Sequence, residues 1–221
     1  MKVLLVEDDA SLREGMGELV SELADVQAVG TIDEALRALE TGRFELVMTD
    51  LRIAGGHNDG RSILEAARRR LHPVVVVSAA GPDEVAEALH PLEPDGLLIK
   101  PFQVDDIMGL VERFLELKRQ ALAASESPLP EGSPDWTDLA PGARTATART
   151  EAPRTWVRLT PEADFQWRRP ACAEGLQLLE GSLELDGEGY AAPCYLFLAV
   201  GASPRVKTRT GAVAVCVPLR G

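Results

Sequence analysis

Met1-Lys2-Val3-Leu4-Leu5-Val6-Glu7-Asp8-Asp9 opens the chain, and this stretch decides the fold. Val3–Val6 is an unbroken apolar run, which suits a strand covered on both faces. It ends at once in acids. Working outward, Leu12, Met16, Leu19, Val20 and Leu23 recur at helical spacing from Ser11, and Val26–Val29 reads as a second strand. Ile32, Ala35, Leu36 and Leu39 mark a helix capped by Thr31 or Asp33 and ended by Gly42. Leu46–Thr49, Val74–Ser78 and Gly96–Ile99 are further strands, with helices expected over Ile63–Leu71, Asp83–Leu89 and Val104–Ala121. Alternating strands and helices of this kind predict a doubly wound, five-stranded parallel sheet with helices on both faces, over residues 1–121.

The texture then changes twice. Residues 122–154 are rich in Ser, Pro, Ala and Thr with little periodicity, and read as a linker in which Trp136 is a possible anchor. Residues 155–221 carry short alternating runs (Trp156–Leu159, Leu176–Leu179, Leu183–Leu185, Tyr195–Ala199, Val213–Val217) between Gly, Pro and Asp turns. That pattern predicts a small all-β sandwich or barrel.

Charge narrows the function. Residues 1–120 hold 23 acidic against 13 basic side chains, whereas residues 155–221 hold seven of each. Nucleic-acid binding draws most of its affinity from a basic excess, which neither half has, so a DNA-binding role is not expected. The opening apolar run is too short for a signal peptide, and no stretch approaches the roughly 18 apolar residues that span a bilayer, so the expected location is the cytoplasm. Cys172, Cys194 and Cys216 are spaced evenly, but all three histidines (His57, His72, His90) lie in the first half. The cysteines therefore read as small packed thiols.

In a parallel sheet, function gathers beyond the carboxyl ends of the strands. Glu7, Asp8 and Asp9 follow the first strand and Asp50 closes the third; Ser78 closes the fourth and Lys100 follows the fifth. Crowded carboxylates repel unless a hard, oxygen-loving cation neutralises them, and Mg²⁺ suits that role. A hydroxyl and an ammonium beside such a cluster can stabilise a transferring phosphoryl group. Asp9 reads as a solvated neighbour or helix N-cap, and His57 as an exposed loop side chain.

Val6-Glu7-Asp8, Thr49-Asp50, Val77-Ser78-Ala79 and Lys100-Pro101-Phe102 together resemble the four signature positions of the response-regulator receiver family, in order and at strand ends. The resemblance implies a flavodoxin-like fold and a two-component phosphorelay role. It implies that Asp50 is phosphorylated by a sensor histidine kinase or phosphotransfer protein. Asp8 would bind Mg²⁺ directly, Glu7 would do so through water, the Arg52 carbonyl would complete the site, and Asp50 would also belong to it. Lys100 and Ser78 would contact the phosphoryl oxygens, and Lys100–Pro101 would be cis. The chain departs from the family at Ala54, where a proline is usual, in a loop to Gly60 that looks about two residues long, and at Leu97, where the switch aromatic is usual. Arg52 and Ala80 occupy positions that tune phosphoryl lifetime in the family.

Residues 155–221 resemble a cupin more weakly, through Glu174 with Gly181 seven residues on and through Ala192–Tyr195 with Val200–Pro204. The usual histidine ligands are absent: Trp167, Arg168, Arg169 and Pro170 stand before Glu174, and Pro204 or Arg205 follows Gly201. A metalloenzyme is thus not expected. The resemblance leaves a barrel for a small ligand or output protein, a possible homodimer, and Trp167, Arg168 and Arg169 as candidates for a surface turn or an anion-holding mouth. A phosphorylation-independent adaptor built on the receiver fold is the alternative.

Overall fold

The computed structural model describes residues 1–53, 59–126, 136–148 and 153–220. The chain divides into two compact units, Met1–Leu115 and Glu116–Gly221. His57 and the divergent Ala54 lie outside the described residues.

In the first unit the strands are β1 (Lys2–Val6), β2 (Asp25–Val29), β3 (Leu46–Asp50), β4 (Val74–Ser78) and β5 (Gly96–Ile99). The helices are α1 (Ala10–Ser21), α2 (Ile32–Thr41), α3 (Asp59–Arg69), α4 (Pro82–Leu89) and α5 (Val104–Glu126), the last running past the unit boundary. The sheet order is β2-β1-β3-β4-β5, all parallel. Alternation along the strands sends Leu4, Val6, Val47, Val74 and Val76 into a core with Ala35, Leu39, Ile63, Ala67, Val85 and Leu89 of α2, α3 and α4. Val3, Leu5, Met48, Val75 and Val77 alternate with these and are also fully buried, which explains the continuous hydrophobic runs. On that second side, Leu110 of α5 comes against Gly96, where a Cβ would lie 3.1 Å from its Cδ1.

Local chemistry fixes the helix starts. Asp9 accepts a hydrogen bond from the Leu12 amide at 2.8 Å and caps α1, as expected. Thr31 caps α2 by accepting from the Glu34 amide, while Glu34 reaches back to the Gly30 amide at 3.1 Å. The order reverses between β1 and β3, and the crevice beyond their carboxyl ends receives the acidic residues.

The second unit is an antiparallel, nearly closed barrel. Its strands are β6 (Thr137–Ala140), β7 (Ala143–Ala148), β8 (Arg154–Leu159), β9 (Asp164–Gln166), β10 (Glu174–Leu185), β11 (Glu188–Ala191), β12 (Cys194–Leu198), β13 (Arg205–Lys207) and β14 (Ala212–Pro218). The main path is β6-β7-β8-β14-β10-β13-β9, with β11 and β12 also paired to β10. The long β10 serves two sheets: its first half pairs β12 and β14, its second half β11 and β13. The crossover is at Gly181 (φ +77), where a Cβ would sit 2.1 Å from the Gly211 carbonyl oxygen, so only glycine fits.

Within the stretch expected to be a linker, 122–154, most of the described residues lie in secondary structure. Helix α5 continues to Glu126, and β6 and β7 form a hairpin on β8. Its composition misleads because, among the described residues, it buries only small side chains, Ala124, Ala143 and Ala146. An edge hairpin needs little hydrophobic surface. The last turns of α5 pack with the barrel: Leu117, Ala121 and Ala124 are buried, and a Cβ on Gly175 of β10 would lie 3.1 Å from Leu117 Cγ. Trp136 is half-buried under the Arg158 guanidinium, 5.1 Å from its ring centre.

Candidate functional site

Each site residue owes its place to a strand end. Glu7 leaves β1 buried, Asp50 is the last residue of β3 and also buried, and Asp8 is more open. Carboxylate oxygens of Glu7, Asp8 and Asp50 all lie within 4.8 Å of one another. Lys100, one residue past β5, enters from across the sheet: its Nζ donates to Asp50 Oδ2 at 2.5 Å and to Glu7 Oε2 at 2.8 Å. Its amide donates to the Ser78 carbonyl at 2.7 Å, tying β5 to β4 at the site, and Lys100–Pro101 is cis as expected.

Burial pushes the Glu7 carboxyl above its usual range, against the pull of Lys100. Burial alone would depress Lys100, but its hydrogen bonds to Asp50 and Glu7 outweigh that and raise it. The ammonium is therefore held charged opposite the acids.

The remaining pieces surround Asp50. Its Oδ1 accepts from the Arg52 amide at 2.8 Å, which orients the carboxylate and leaves Oδ2 toward Lys100. Ser78 is buried, and its Oγ accepts from the Ala80 amide at 3.0 Å, leaving the hydroxyl proton available to donate elsewhere. Gly60 permits α3 to approach the β3 end: a Cβ there would meet the Asp50 carbonyl oxygen at 2.4 Å. Leu97, the residue read as a switch position, is a partly buried member of the core beside β4 rather than a surface ring.

Sequence reasoning passed over Arg13. Its Nη1 donates to the Glu7 carbonyl at 2.7 Å and to the Asp8 carbonyl at 3.2 Å. A cation in the first turn of a helix opposes the helix dipole, and that was the signal available in the sequence.

Three carboxylates offering hard oxygens at this spacing suit a hard divalent cation, so the donor set fits magnesium. The barrel is different. Glu174 is buried and both its oxygens accept from Arg168 Nη2, at 2.8 and 3.0 Å. Trp167 is buried rather than lining a surface turn, and Arg168 is engaged by Glu174; only Arg169 is exposed.

The first unit is thus a doubly wound domain with an acidic crevice at its switch point and a lysine across it. Residues 3–112 match the model of the response regulator receiver domain, and this part of the chain belongs to that family. Among curated relatives, response regulator protein FleR of Pseudomonas aeruginosa is 36% identical over 116 residues, 51% of this chain and 24% of that protein. Transcriptional regulatory protein CiaR of Streptococcus pneumoniae is 28% identical over 120 residues, 52% of each. The chain thus spans about half the length, or less, of these relatives. The Francisella response regulator 1452 receiver domain is 25% identical, with a TM-score of 0.46, covering 52% of this chain and 96% of that one. A response regulator receiver protein from Sinorhizobium medicae is also 25% identical, with a TM-score of 0.47, covering 52% and 94%. The relatives place the chain in two-component signalling. Among the described residues, no helix is long and apolar enough to cross a membrane.

Proposed function

We propose that Asp50 accepts a phosphoryl group from a phosphohistidine on a sensor histidine kinase or phosphotransfer protein, and that the barrel carries the output without binding DNA. The observation behind this is the convergence of Glu7, Asp8 and Asp50 around one point with Lys100 Nζ 2.5 Å from Asp50 Oδ2. An Asp50 oxygen attacks phosphorus, the P–N bond breaks, and the imidazole leaves as the neutral base after taking a proton, giving an acyl phosphate. Lys100 neutralises the phosphoryl oxygens as their charge shifts, and the Ser78 hydroxyl donates to one of them. Glu7, Asp8, Asp50 and the Arg52 carbonyl would hold Mg²⁺, which supplies charge neutralisation on the phosphoryl oxygens when bound. We assign no turnover to the chain beyond its own phosphorylation. Glu174, the acid a cupin metal site would use, is taken by Arg168, which favours a ligand- or protein-binding barrel. A cytoplasmic location and a homodimer accord with this reading.

The packing of Leu97 into the core favours one alternative, a phosphorylation-independent adaptor, because no aromatic ring is there to swing. Incubation with acetyl phosphate and Mg²⁺, followed by intact-mass measurement, decides between them. We expect one added phosphoryl group on the native protein and none on Asp50→Asn. No addition to either supports the adaptor.

A further inference from the structure

We propose that Arg13 is a positioning residue for the cation site, fixing the backbone from which Glu7 and Asp8 present their carboxylates; this rests on the magnesium reading above. The two acids sit on consecutive residues at the exit of β1, where the sheet no longer dictates backbone direction. Within the turn the Asp9 amide donates to Glu7 Oε1 at 3.4 Å, and two further contacts hold its backbone. The Glu7 amide donates to the Val29 carbonyl at the end of β2, at 3.2 Å. From the other side, Arg13 Nη1 bridges the Glu7 and Asp8 carbonyls at 2.7 and 3.2 Å. One guanidinium nitrogen thus holds both peptide units whose side chains meet Asp50. Glu7 Oε2 meets Lys100, and both carboxylates lie within 4.8 Å of Asp50, so Arg13, bound to the carbonyls, acts through the backbone.

The pocket for the guanidinium is also built. A Cβ on Gly30, just past β2, would lie 2.9 Å from Arg13 Nη1 and 3.3 Å from its Cζ, so the absence of a side chain there makes room for the arginine. Gly30 has no positive φ to demand glycine. A side chain there would press on the far end of Arg13 and shift it.

Two effects of Arg13 on a divalent ion compete. Its charge repels the cation, and its hydrogen bonds align the ligands. If charge dominates, removing Arg13 tightens binding. Alignment dominates in this proposal, because partners that orient metal ligands typically contribute 10- to 100-fold in affinity.

Mg²⁺ titration calorimetry on the full chain separates these. Arg13→Met is expected to bind Mg²⁺ about 10-fold more weakly. Arg13→Lys keeps the charge and the donors, but its shorter side chain reaches the two carbonyls less well, with an expected loss of about 3- to 5-fold, roughly one hydrogen bond. Gly30→Ala, which displaces the guanidinium without removing it, should weaken binding too, and should add nothing in the Arg13→Met background. Arg68→Met is the control: Arg68 pairs with Asp95 just before β5, at the sheet end away from Lys100, so it should cost stability and leave Mg²⁺ affinity unchanged. If native protein binds Mg²⁺ and the Arg13 and Gly30 variants bind it equally or more tightly, the proposal is overturned. If native protein itself fails to bind, the magnesium reading has failed instead. Should Arg13→Met not fold, Arg13→Lys and Gly30→Ala decide in its place.

Discussion

Two of the acid–cation clusters among the described residues, one in each unit, are built to opposite purposes. The receiver cluster sets three carboxylates, Glu7, Asp8 and Asp50, around the single ammonium of Lys100. The barrel cluster sets one carboxylate, Glu174, against one guanidinium, Arg168. The first keeps a surplus of negative charge in a crevice, which is stored repulsion and a reason to take up a cation. The second is balanced, one charge against one, with Glu174 buried and Arg168 partly exposed. Buried charge is therefore no guide to function by itself; its stoichiometry is.

That contrast predicts opposite stability effects for removing one acid from each. Glu174→Leu strands a half-buried guanidinium and should destabilise the barrel by about 3 kcal/mol, the low end for breaking a buried pair. Asp50→Asn removes like-charge repulsion while Lys100 keeps Glu7, so the receiver should change by less than about 1 kcal/mol in either direction. The two units are separable in one urea titration. Trp136, Trp156 and Trp167 all lie in the second unit, so indole fluorescence reports the barrel, and far-UV helical signal reports mainly the receiver. A larger loss for Asp50→Asn than for Glu174→Leu would break the comparison.

The same contrast governs what was legible in the sequence. Receiver strands announce themselves because each is buried on both faces, and the site residues follow directly at their ends: Glu7 after Val6, Lys100 after Ile99. Position along the strand sufficed there. The barrel resisted because its pairing is non-local. Leu176–Leu179 and Leu183–Leu185 read as two strands but are one, β10, turned at Gly181 by the approach of Gly211, thirty residues on. The hairpin of β6 and β7 was hidden by its small residues, and Arg168 looked like a surface turn because nothing in sequence shows Glu174 reaching back to it. Arg13 was missed for a related reason, since its partners are backbone carbonyls.

Acid sharpens the comparison next. His72, buried in the receiver with Nε2 unpartnered among the described residues, has its pKa lowered to about 4 by burial, with the charges of Arg43 and Arg70 adding to the effect. Its folded value lies below the unfolded 6.5, so its contribution is intact above pH 6.5 and is lost as pH falls toward about 4. At about 1.4 kcal/mol per pH unit the loss reaches about 3 kcal/mol. Glu7 and Asp95, raised by burial, act in the opposite sense as they protonate, so the effect is read as a difference between proteins. The native receiver should lose stability relative to His72→Phe across that window, while the barrel, which has no histidine, should show no such difference. Equal pH slopes in the two proteins would remove His72 as the cause.

The smallest effect is read on the thiols and probes the Arg168–Glu174 cluster from within. Cys172 is exposed, Cys194 partly buried and Cys216 buried, although their spacing in the sequence is identical. Burial raises the Cys216 thiol far above its ordinary value, and Arg168 and Glu174 are close enough for their charges to act on it. Cys172 is also raised, by partial burial and by the Glu174 charge, so exposure gives it access without thiolate character. With an aromatic disulfide reagent at neutral pH, Cys172 should react slowly in the native protein and faster as pH passes 9.0, whereas Cys216 should wait for the barrel to open. Glu174→Leu should then speed Cys216 without exposing it in the folded state, since the rate follows the population of the open form. If Cys216 reacts as fast as Cys172 in the native protein, the Arg168–Glu174 cluster is open to solvent and the barrel holds an accessible site there after all.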